Sequence, residues 1–89
     1  MALHFELTAS VTLVGKDLQF VGMDDTTRIR FLIQKDALKQ LAGSADELTQ
    51  QETFKAYDRN RARLQEVARQ LYERAPTGVR ILKIRAADL

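Results

Sequence analysis

The sequence contains no cysteine. Disulfides, thiolate metal sites and cysteine nucleophiles are therefore excluded. Histidine occurs once, as His4. A single imidazole on the polar side of an N-terminal strand leaves no histidine-based metal cluster to assemble and gives no support to a Ser-His-Asp triad. The four glycines fall at turns, at a helix end or within a strand. None forms a phosphate-cradling loop of the P-loop or dinucleotide kind. No apolar run approaches the roughly 18 residues of a membrane helix, and no membrane partner is expected. The opening "MALHFELTAS" has neither the basic nor the apolar region of a signal peptide, so a cytoplasmic location is expected. The carboxylate pairs Asp24-Asp25 and Asp46-Glu47 sit where turn and cap chemistry explains them. No cofactor or metal ligand set is expected, and an enzymatic role has no support.

What is present reads as one small globular unit. The 89 residues carry one continuous pattern, which predicts a single domain over residues 1–89. Apolar residues make up 45% and charged residues 29%, an ordinary balance for a protein with one core. The charge is unevenly spread. Residues 1–54 hold five basic and eight acidic side chains, a balance of −3, while residues 55–89 hold nine and four, a balance of +5. A basic second half permits an anionic partner. Arg and Glu also crowd long helices because both favour helix, and a solvated helix face is the preferred account of the run.

The first third predicts strands. "LHFEL" alternates, with Leu3, Phe5 and Leu7 opposite His4 and Glu6. Gly15-Lys16-Asp17 separates Val11–Val14 from Leu18–Met23, and Asp24-Asp25 separates that run from Thr26–Ile33. Short apolar and β-branched runs divided in this way predict an antiparallel meander. In the last run Ile29, Phe31 and Ile33 face one way, and Arg28, Arg30 and Leu32 the other. This is a sheet with one face on a core and one partly wet.

The period then changes. "KDALKQLAG" predicts a short helix stopped by Gly43. "SADE" and "TQQE" both fit a capping box; Thr49, with Glu52 three residues on, is the preferred start of a long helix. Its stripe comprises Phe54, Tyr57, Leu64, Val67, Ala68, Leu71 and Tyr72. Ala75-Pro76-Thr77-Gly78 ends it, because the residue before proline is pushed out of the helical region. "GVRILKIR" predicts a final strand, apolar on both faces and hence central in the sheet. The expected fold class is α+β: a small antiparallel or mixed β-sheet of three to four strands plus a C-terminal strand, with a short and a long helix packed on one face. The other face would display some of Arg28, Arg30, Arg80 and Lys83.

Two groups of residues on the long helix raise questions of function. Lys55, Arg59 and Arg63 lie four apart. Such a like-charge stripe costs a few tenths of a kcal/mol per pair, relieved by Glu66 near Arg63 and by an Arg69–Glu73 pair. Lys55, Arg59, Arg63 and Arg69 form a candidate anion or nucleic-acid patch. However, Phe54, Tyr57 and Tyr72 lie on the apolar side, so no aromatic platform interleaves with the charges. Asn60 and Arg61 flank the apolar stripe. Arg61 either lays its methylenes along the core edge as a structural latch or forks an anionic ligand. Asn60 hydrogen-bonds nearby backbone.

The stretches "MALHF", "LQFVG", "IRFLIQKDALKQL", "F..YDRNRARLQEVARQLY" and the closing "ADL" together resemble a bacterial family, domain of unknown function 1488. The resemblance covers nearly all of the chain; "SADELTQQE" fits least. It implies a small α+β fold with no established activity, and it places Asn60, Arg61 and Tyr72 on the family's motif. The resulting expectation is an uncharacterised small cytoplasmic bacterial protein. It would act as a non-catalytic binding module for an unknown protein partner, or through self-association. The alternative is a nucleic-acid or anionic-ligand binder using the basic helix face and the strand arginines.

Overall fold

A computed structural model describes residues 3–5 and 11–89 of the chain. Strands β1 (Leu3–His4), β2 (Thr12–Val14), β3 (Asp17–Asp24) and β4 (Thr27–Ile33) come first. Helices α1 (Lys35–Ala42), α2 (Gln50–Arg59) and α3 (Arg61–Arg74) follow, then strand β5 (Ile81–Ile84) and a 3-10 turn, Ala86–Asp88. This is the expected α+β class with a mixed sheet. The reading of Glu6 and Leu7 as strand falls outside the described residues.

Two short loops close the hairpins. Val14 faces Asp17 across Gly15 and Lys16, and Asp24 faces Thr27 across Asp25 and Thr26. β2, β3 and β4 form the expected antiparallel meander, and β1 joins it on β3. β1 and β2 share one edge of β3, with Leu3 opposite Asp24 at one end and Leu13 opposite Leu18 at the other. β3 pairs with β4 antiparallel along seven residue pairs. β5 then pairs with β4 in parallel, Leu82 opposite Phe31. Parallel pairing needs a long crossover, and the three helices supply it.

The central position expected for β5 is not observed: it pairs with no other strand among the described residues and forms the sheet edge. Its apolar residues divide between the faces. Ile84 is buried and Leu82 half-buried on the core side, while Ile81 is 53% exposed on the other. An edge strand with one stray apolar residue carries the same pattern as a central one.

Alternation builds the core face. Leu18 and Phe20 of β3 and Ile29, Phe31 and Ile33 of β4 are fully buried. Burying such a side chain stabilises by about 1.5–3 kcal/mol. Phe20 stacks on Phe31 with centroids 5.3 Å apart, and Tyr57 of α2 tilts against Phe20 at 5.6 Å. Ala37, Leu38, Leu64 and Ala68 complete the helical side of the same core. Gly22 lies on this face of β3, and a Cβ there would stand 2.9 Å from Phe5 Cε1 and 3.0 Å from Leu3 Cδ1. The missing side chain is what admits the first strand.

The helix ends follow local chemistry. Gly43 closes α1 in the left-handed region, φ 67°. Thr49 starts α2 with a complete capping box: Oγ1 accepts from the Glu52 N–H, and the Glu52 carboxylate accepts from the Thr49 N–H. The expected single long helix is interrupted at Asn60, which has φ −116° and ψ 18°. Asn60 makes the break inexpensive. Its Nδ2 donates to the Ala56 carbonyl at 2.9 Å, its N–H to Tyr57 O at 3.1 Å, and its own carbonyl accepts from Leu64 N–H at 2.8 Å. α2 and α3 can then each aim a separate buried face, Thr53, Ala56 and Tyr57 on one and Leu64 and Ala68 on the other, at the same sheet. α3 ends at Ala75, extended ahead of Pro76.

Candidate functional site

All three helices contribute to the core on one sheet face. The opposite face is built by the other half of each strand's alternation. Val21 of β3, Arg30 of β4 and Ile81 of β5 form one row, and Gln19, Leu32 and Lys83 the next; Met23 stands beside Arg28. Arg80 enters beside this row, its carbonyl accepting from the Arg30 N–H at 2.7 Å. Gln19, Val21, Arg28, Arg30, Arg80 and Ile81 line an open depression that no carboxylate borders among the described residues. Arg28, Arg30 and Arg80 are exposed and make no side-chain hydrogen bond or ion pair among the described residues. The face is therefore cationic along β4, with Val21 and Ile81 flanking Arg30 on the neighbouring strands.

The helix patch is less free. The Arg63 guanidinium donates to the Leu89 carbonyl. Arg69 lies over the Phe5 ring, 5.5 Å from its centroid, and reaches the Leu3 carbonyl at 3.5 Å. Its carboxylate neighbour is Glu66 at 3.9 Å, not the Glu73 that helical spacing suggests. Two of the four patch residues thus fasten other parts of the chain to α3. Lys55 and Arg59 are exposed with no such contact among the described residues.

Arg61 is exposed, not buried in the stripe. It pairs with Asp58 at 2.8 Å and lies 5.8 Å from the Tyr57 centroid. The structure brings it to neither a cleft nor Tyr72. Burial raises the Tyr57 hydroxyl pKa above its ordinary value, with Arg61 pulling the other way. Tyr72 donates its hydroxyl to the Asp24 carboxylate at the end of β3. That hydrogen bond, to the neutral phenol, raises the Tyr72 pKa. A tyrosine acting as base or nucleophile needs the opposite shift. Both Asn60 and Tyr72 therefore occupy positions with structural partners.

The chain belongs to the family described as protein of unknown function (DUF1488), whose model matches residues 3–81. No curated protein and no solved structure matches significantly. The DUF1488 match runs from β1 to the first residue of β5, and so includes the helix break, Tyr72 and the strand arginines.

A second cavity of about 170 Å³ lies between the β2–β3 turn, α1 and the start of α2. Lys16, Lys35 and Lys39 line it, and the Glu47 carboxylate already bonds Lys16 there. The Lys16 hydrogen bond and charge, with weaker help from Lys35 and Lys39, hold the Glu47 pKa below its usual value. The chain's own acid thus answers these lysines. Among the described residues no group of three or more His, Asp or Glu side chains is placed to hold a metal ion.

Sequence patterning identifies the alternating Arg28 and Arg30 without help. It misses the Tyr72–Asp24 bond, because Asp24 reads only as a turn residue and its helix partner is 48 positions away.

Proposed function

We propose that this chain is a non-catalytic interaction module, bacterial and cytoplasmic, that docks an acidic partner protein on its open sheet face. The observation that carries the proposal is the set of unpaired cations Arg28, Arg30 and Arg80 beside half-buried Val21 and exposed Ile81, with no carboxylate lining the depression among the described residues. Such a surface offers forked donors for carboxylates together with apolar area. A second copy is a poor occupant, because face-to-face contact would set arginine against arginine. Nucleic acid is also less suited. The face carries no aromatic platform among the described residues, and of the helix's basic stripe Arg63 and Arg69 are already engaged with other parts of the chain.

Poly-L-glutamate and a single-stranded oligonucleotide are the probes, read by fluorescence anisotropy across a salt series. The proposal expects polyglutamate binding that Arg28→Glu/Arg30→Glu abolishes and Lys55→Glu/Arg59→Glu leaves in place. Tighter oligonucleotide binding, lost in the helix variant, would replace it with the nucleic-acid reading.

A further inference from the structure

β5 has one edge paired with β4, and no strand pairs with its other edge among the described residues. The carbonyls of Arg80 and Ile84 accept from β4 and from Gln34, at 2.7 and 2.9 Å. Alternate residues of a strand direct their backbone groups to opposite sides. The N–H and C=O groups of Ile81 and Lys83 therefore point away from the sheet. The next outward donor is already closed: the Arg85 N–H donates to the Asp88 carboxylate at 2.9 Å, and the 3-10 turn ends the strand there. A short edge remains, with two donors and two acceptors.

Unpaired edges are commonly protected against self-association by charge. Arg80, Lys83 and Arg85 supply it here. Antiparallel pairing of two β5 strands centred on Lys83 would set the two Lys83 side chains directly opposite each other, which is destabilising. The same charges favour a strand that carries carboxylates. The open face continues up to this edge through Ile81 and Lys83, opposite Arg30 and Leu32.

We propose that β5 accepts an extended acidic segment of the partner protein as an added strand. Main-chain hydrogen bonds to Ile81 and Lys83 hold it, and alternate acidic side chains fall on the Arg30, Arg80 and Lys83 side. The inference rests on the sheet face being the docking surface and adds the conformation of what docks.

The test uses the full chain, isotopically labelled, and three synthetic peptides. One alternates glutamate and valine, one has the same sequence N-methylated at every second residue, and one replaces glutamate by glutamine. Amide exchange and shifts are followed by NMR. The expected result is slowed exchange at the Ile81 and Lys83 amides with the first peptide, and at least tenfold weaker binding of the other two. Equal binding of the N-methylated and parent peptides, with perturbation confined to the arginines, overturns strand addition while leaving the docking face intact. No binding by either acidic peptide overturns both.

Discussion

Gly22 stands so close to Phe5 that a Cβ added there would meet the ring's Cε1 at 2.9 Å. Phe31 Cε2 would be 3.2 Å away, and Phe31 is fully buried. Gly22→Ala is expected to lower stability by about 1–3 kcal/mol, as overpacking does in a filled core. Chemical denaturation measures it. An unchanged midpoint would mean that the first strand does not pack on β3 in this way.

Asn60 and Ala56 define the second prediction. The Asn60 Nδ2 bond to the Ala56 carbonyl replaces a helical bond lost at the break. Asn60→Ala should cost about 1 kcal/mol, with helical circular dichroism retained. A gain in stability would show that α2 and α3 prefer to run as one helix.

Local chemistry was legible in the sequence, and partner choice was not. Thr49 and Glu52 signal a helix start because both halves of a capping box lie within four residues. Arg28 and Arg30 signal a wet face because a strand's period is two. Nothing local marks Asn60 as a break. Asparagine has only a modest helix penalty, and the need for one lies in the core that Tyr57 and Leu64 must both reach. The edge position of β5 was hidden because Ile81 is apolar yet exposed. The capture of Arg69 by Leu3 and Phe5 joins residues more than 60 positions apart, beyond any periodicity.

For Arg61 the exposed pair with Asp58 and the contact over Tyr57 set a modest scale. Arg61→Ala is expected to change stability by less than about 1 kcal/mol, as is usual for exposed ion pairs. A larger loss would restore Arg61 as a latch.

The Tyr72–Asp24 bond predicts an alkaline effect. Because the folded-state pKa of Tyr72 is raised, its contribution is fully present below the unfolded value of 10.0 and is lost as pH rises above it. Tyr57 titrates in the same direction, through burial. The difference between the parent and Tyr72→Phe isolates Tyr72: it should be constant below pH 10.0 and shrink above it. A difference independent of pH in urea denaturation would contradict the bond.

The most direct measurement is the NMR footprint of poly-L-glutamate on the labelled chain at low salt. The docking account predicts that perturbed resonances cluster on Arg28, Arg30, Arg80, Ile81 and Lys83, with Lys55 and Arg59 unmoved. A footprint centred on Lys55 and Arg59, or spread evenly over all exposed cations, would contradict it.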